Sequence, residues 1–173
     1  MKKFYVLIVA LIIGATASVS ALDLKSYPSD FKKGNIAINA GIGLPSFGYH
    51  GYITIPPVSA SVDIAVPIAD LPFSFGGFVG FMTSFSSYSY SDVGIYARGA
   101  YHFNFDVKGL DTYAGLMLGC EIRGTNDPVT PYPSGFSWGL YTGARYFLSP
   151  NVGAFAELGY GFTWITAGVT FKI

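Results

Sequence analysis

The stretch DTYAGLMLGCEIRG, residues 111–124, decides how the chain folds. Taken one residue in two, Thr112, Ala114, Leu116, Leu118, Cys120 and Ile122 form a face without a charge. Asp111, Tyr113, Gly115, Met117, Gly119, Glu121 and Arg123 form the other face, which holds every charge in the stretch. Alternation at period two marks a β-strand, because successive side chains leave the pleated backbone on opposite sides.

The same rhythm recurs on both sides of this stretch. NIAINAGIGL places Ile36, Ile38, Ala40, Ile42 and Leu44 on one face, and VSASVDIAV does so for Val58, Ala60, Val62, Ile64 and Val66. FSFGGFVGF aligns Phe73, Phe75, Val79 and Phe81, and the next run carries Val93, Ile95, Ala97, Tyr101 and Phe103. Three more runs follow residue 124. They align Phe136, Trp138, Leu140, Ala144 and Tyr146, then Val152, Ala154, Ala156, Leu158 and Tyr160, and last Ile165, Ala167, Val169, Phe171 and Ile173. Eight strands result, each near the length that crosses a bilayer at a tilt. Connections at 67–72, 104–110 and 148–151 are short, whereas 45–57, 84–92 and 124–135 are longer and rich in Tyr, Ser and Pro. Short turns opposite longer loops are the pattern of a transmembrane barrel; the brief connection near 161–163 departs from it.

The two faces separate a membrane barrel from a soluble one. The apolar face carries no charge, and Gly77, Gly99, Thr112 and Thr142 are its only other residue types. Asp63, Arg98, Asp111, Glu121, Arg123, Arg145, Glu157 and Lys172 all fall on the opposite face. A soluble barrel would reverse this. Lipid offers the backbone no hydrogen bonds, so an apolar sheet within it must close on itself. Trp138, Phe136 and Tyr160 near the loop ends, and Phe73, Phe75, Tyr101, Phe103, Tyr146 and Phe171 near the turn ends, match two aromatic girdles. The expected fold class is all-β, an eight-stranded antiparallel up-and-down transmembrane β-barrel.

Composition agrees. The chain is 51% hydrophobic and 17% aromatic with only 12% charged residues, about half the charge of an ordinary soluble domain. Lys2 and Lys3, the apolar run that follows, and the small residues ending at Ala21 read as a secretory signal peptide over 1–21. Residues 22–34 read as a polar periplasmic lead-in, able alternatively to fold into the barrel mouth, and 35–173 as the barrel. Removing the leader, whose only charges are the two lysines, takes the net charge from zero to −2. No basic footprint for nucleic acid remains. The lone Cys120 supports no internal disulfide framework.

Eight strands leave an interior just wide enough for side chains or one small ligand. Arg98, Glu121, Arg145 and Glu157 project into it and are expected to form a paired structural network. Catalysis has little support. His50 stands near Ser46 and Ser59 without an acid partner, and His102 lies one level from Asp111, which reads as a hydrogen-bonded interior pair. No catalytic triad, metal cluster or cofactor site is expected.

In strand number, phase of alternation, ARGAYHFNF, the turn YFLSPN and the terminal GVTFKI, the chain resembles small bacterial outer-membrane β-barrels of the OmpA transmembrane-domain and OmpX type. The resemblance covers essentially all of the expected mature chain. Gly168, Phe171 and Ile173 resemble the carboxy-terminal assembly signal of that family, which implies recognition by the barrel-assembly machinery, although a common form ends in Phe rather than Ile. It implies localisation in the outer membrane, contact with outer-membrane lipids, and a non-enzymatic structural or surface-interaction role with an unidentified surface ligand. The alternatives are a narrow OmpW-like channel for small apolar molecules and a lipid-modifying enzyme.

Overall fold

The structure, a computed structural model, describes residues 23–28, 30–45, 53–85, 87–129 and 133–173. The expected leader lies outside these residues, as do Ser46 and His50. Among the described residues eight strands form: β1 (Ile36–Pro45), β2 (Ile53–Ala65), β3 (Phe73–Phe85), β4 (Ser89–Phe103), β5 (Leu110–Thr125), β6 (Gly135–Phe147), β7 (Val152–Tyr160) and β8 (Thr163–Lys172). Each pairs antiparallel with its neighbours in chain order, and β8 returns to β1. The seam runs from Ala37 opposite Lys172 to Leu44 opposite Ile165, and Ile36 and Ile173 exchange two backbone hydrogen bonds of 2.9 Å. The terminal apolar strand thus closes the barrel and removes both sheet edges. A chain of direct partners, Ile36, Ile64, Phe75, Gly99, Leu116, Leu140 and Tyr160, climbs from the turn end of β1 to the loop end of β7. That stagger is what a tilted barrel requires.

The faces fall as the alternation predicts. Leu116 and Leu140 are half exposed on the outside, whereas Asp63, Arg98 and Arg145 are buried within. At the turn end Phe73 and Tyr101 stack edge to face at 5.2 Å, and Tyr101 meets Phe103 at 5.3 Å. At the loop end Trp138 meets Tyr160 at 5.6 Å.

Three features differ from the sequence reading. Pairing of β3 with β4 continues to Phe85 opposite Ser89, so the Tyr/Ser-rich 84–92 is mostly strand and the connection is 86–88. Its tyrosines and serines keep period two, and polarity alone does not end a ladder. Likewise β2 begins at Ile53, with register shifts around Pro56 and Pro57, where the missing N–H groups interrupt pairing.

Residues 23–28 and 30–35 lie against the turn-side mouth. Asp23 bridges Asn104, the Tyr27 hydroxyl donates to the Phe73 carbonyl at 2.5 Å, and Lys172 Nζ donates to the Asp30 carbonyl at 2.6 Å. Phe31 is fully buried there. The segment read as a lead-in thus contributes a buried side chain to the barrel mouth.

The brief β7–β8 connection is the third feature. Phe162 is fully buried and reaches across to β3 and β4, 5.7 Å from the Phe78 ring and 6.5 Å from Tyr96 between centroids. A Cβ at Gly94 would stand 2.7 Å from Phe162 Cδ2, and Gly80 is equally tight against the ring. These two glycines are the socket for a side chain from the opposite wall.

Candidate functional site

The barrel interior holds two polar groups separated by an apolar layer. The larger lies in the turn-side half. Strands β2, β4, β5, β6 and β7 each turn one charged side chain toward the axis at neighbouring levels, which brings Asp63, Arg98, Asp111, Arg145 and Glu157 together. Arg145, fully buried, donates from Nη1 to Asp111 Oδ2 at 2.8 Å, from Nε to Asn39 Oδ1 at 3.1 Å, and from Nη2 to Asp63 Oδ2. Arg98 donates from Nη2 to Glu157 Oε1 at 2.7 Å and from Nε to the Tyr141 hydroxyl at 3.1 Å. The same Nε lies 2.9 Å from Asp63 Oδ1, an ion pair whose N–H points elsewhere. Asp63 therefore bridges both arginines. Tyr113 donates to Glu157 at 2.8 Å, and its ring lies 4.3 Å from the Arg145 guanidinium. Each desolvated charge would cost several kcal/mol unpaired, so every partner is structurally necessary.

His102 adds a second contact to Asp111. Its Nδ1–H donates to Asp111 Oδ1 at 2.6 Å, and its Nε2 shares a 2.9 Å hydrogen bond with the Ser74 hydroxyl. Hydroxyl, imidazole and carboxylate are thus aligned as nucleophilic catalysis requires, a chain that sequence spacing did not reveal. Its surroundings differ from those of a working triad. All three residues are fully buried, the second oxygen of Asp111 is held by Arg145, and Phe31 stacks on the imidazole at 4.8 Å. Burial raises the Tyr27 hydroxyl above its ordinary pKa, which keeps it a donor over this corner.

The smaller group lies toward the loops. Glu121 accepts from the Tyr96 hydroxyl at 2.5 Å, from Ser137 at 2.9 Å and from Arg123, and Arg123 Nε lies 3.3 Å from Asp92. The Arg123 side chain is 34% exposed. Phe78, Met117, Tyr141 and Phe162 form the apolar layer between the groups, and Met82 extends it to the level of Asp92. Within it a cavity of about 10 Å³ touches Arg98, Tyr141 and Glu157, space for a single water.

Of the four residues expected to associate, Arg98, Arg145 and Glu157 meet around Asp63, and Glu121 belongs to the other group. Asp63 was legible as an inward charge but not as the bridge, because the four expected residues already balanced in charge and only the strand stagger sets Glu121 apart. Gly168 lies at the seam, where a Cβ would stand 2.6 Å from Gly41 Cα, while Phe171 and Ile173 face outward. Cys120 is an exposed outward residue. Among the described residues no three His, Cys, Asp or Glu side chains could jointly hold a metal ion.

No family model matches the chain, and no curated protein matches it in sequence. Solved structures do match. The attachment invasion locus protein Ail of Yersinia pestis superposes with a TM-score of 0.55 at 12% identity, covering 82% of this chain and 99% of that one. The amino-terminal β-barrel domain of Pseudomonas aeruginosa OprF gives 0.53 at 16% identity, covering 82% and 98%. Neisserial surface protein A gives 0.52 at 19%, covering 80% and 95%. Ail is also known in complex with the heparin analogue sucrose octasulfate. Closed antiparallel topology, an apolar outer wall and these superpositions together make the fold that of the small eight-stranded transmembrane barrels of bacterial outer membranes.

Proposed function

We propose that the protein is an integral outer-membrane barrel whose interior is a packed polar core, with a non-enzymatic structural or surface-contact role. One observation carries this reading. Both arginines of the turn-side group are buried and paired with carboxylates, with Phe31 seated below them and Phe162 above. Charges committed to one another in this way are poor binding sites for a passing ion, and the buried rings stand where a passage would open. Two girdles and an uncharged outer wall support location in a bilayer. Export through a cleaved leader and assembly through Gly168, Phe171 and Ile173 belong to the same proposal.

The loop side is the candidate contact surface, with Val129 and Phe136 its most exposed apolar residues. The charges described there are Asp92, Glu121 and Asp127 against Arg123, a balance that argues against a sulfated polyanion of the kind bound to Ail.

The testing experiment is gel mobility with and without boiling, followed by planar-bilayer recording of the folded fraction. A compact band that shifts on boiling, with no unitary conductance, is the expected result. Stable open channels would overturn the packed interior, and absence of the shift would overturn the barrel. A fluorophosphonate probe should leave Ser74 unlabelled; labelling that vanishes in Ser74→Ala would make the protein a hydrolase.

A further inference from the structure

On the outward face of β3–β6 lies a groove of about 440 Å³. Its floor is small, made by Ala97 and Gly99 of β4 and Ala114 of β5, and its walls are large, made by Phe73, Phe75 and Tyr101 on one side and leucines of β5 and β6 on the other. Phe75, Gly99 and Leu116 are direct cross-strand partners, so the wall dips where Gly99 has no side chain. Packing does not compel this glycine. A Cβ there would meet the edge of the outward Phe75 ring at 3.3 Å and the Ser74 carbonyl at an ordinary 3.7 Å, whereas the inward Gly80 and Gly94 are pressed by Phe162. A second outward depression of about 370 Å³, over Gly77, is walled by aliphatic residues at mid-strand.

The groove over Gly99 differs in what stands at its turn-side end. The Tyr101 hydroxyl donates to the Leu24 carbonyl, which lays residues 23–25 across that end. Asp23 and Lys25 are exposed there, and the β4–β5 turn adds the exposed Asp106 and Lys108. The Ser26 hydroxyl and the Lys25 N–H, both bonded to the Asp23 carboxylate, hold its pKa below the usual value. Charges of both signs therefore flank the end of an apolar channel at the membrane–water boundary.

We propose that this groove binds one acyl chain of a zwitterionic aminophospholipid, whose phosphate faces Lys25 and Lys108 and whose ammonium faces Asp23 and Asp106. A chain lying here contacts protein on three sides rather than one, and balanced rim charges complement a headgroup that carries both signs better than a purely anionic one. The site rests on the transmembrane reading.

Native mass spectrometry of the protein released from vesicles of equal phosphatidylethanolamine and phosphatidylglycerol tests it. One retained phospholipid is expected, with phosphatidylethanolamine favoured about fivefold. Gly99→Leu and Ala114→Leu fill the floor from two different strands without touching the interior, and each should reduce retention about tenfold. The double variant Lys25→Glu/Lys108→Glu should retain lipid but lose the headgroup preference. Boiling-dependent gel mobility of each variant separates a failed groove from a failed barrel. Retention unchanged in both filled variants, no lipid on the wild type, or preference for phosphatidylglycerol would overturn the site. So would a wild-type dimer that the filled variants abolish, since the occupant would then be a second copy.

Discussion

The two ends of the interior use the same means, a buried aromatic ring, in opposite surroundings. At the turn end Phe31 comes from a segment outside the sheet and lies on polar groups, 4.8 Å from His102 and 5.4 Å from the Arg145 guanidinium. At the loop end Phe162 belongs to the sheet's own hairpin and lies on Phe78, Tyr96 and two glycines. The ionic groups differ in parallel. The turn-side network is buried and each arginine has several partners, whereas Arg123 remains partly in water. Burial, more than the kinds of residue present, sets what each contact contributes.

That comparison can be broken experimentally. The largest effect is expected from Asp63→Ala, which strips an anion from two buried arginines at once and should cost about 3–5 kcal/mol. Urea unfolding in detergent would read it, and a midpoint equal to wild type would mean that Asp63 is not the bridge. Next is Phe162→Ala, which empties a glycine-lined socket and should cost about 3 kcal/mol. If side-chain packing closes the loop end, this variant should also admit water and conduct weakly in planar bilayers; silence with full destabilisation would assign closure to other groups.

Phe31→Ala should be milder, about 2 kcal/mol, because the backbone bonds of residues 23–35 still hold the segment in place. Hydrogen exchange of that segment would sharpen the contrast, since faster exchange confined to residues 23–35 is expected and exchange spreading into β4 and β5 is not. Arg123→Ala should be smallest, about 1 kcal/mol, because Arg123 is partly in water and Glu121 keeps its Tyr96 and Ser137 donors, although both carboxylates it faces are buried. A loss as large as that of Asp63→Ala would erase the distinction between the two groups.

Much of the architecture was legible because a strand writes its two faces into every second residue. Outward Leu116 and inward Glu121 needed no tertiary information, and neither did the seam strand ending at Ile173. The loop boundaries were less legible. Ser84 and Tyr90 look like loop residues by composition, yet they keep the alternation and pair across β3 and β4. Phe162 escaped the reading because it sits between two alternating runs, and Phe31, which precedes them, was covered only by the alternative that its segment folds into the mouth.

Sequence alone determined that the sheet closes, that its outer wall is apolar and that its charges point inward, since these follow from local period and from a solvent that cannot bond a backbone. Tertiary structure alone decided who pairs with whom. Arg145 meets Asp63 and Asn39 across 82 and 106 residues of chain, and those distances in sequence depend on strand stagger around the whole barrel. The same stagger set Glu121 apart from the other three network residues, aligned Ser74 with His102 and Asp111, and turned a two-residue hairpin into a plug.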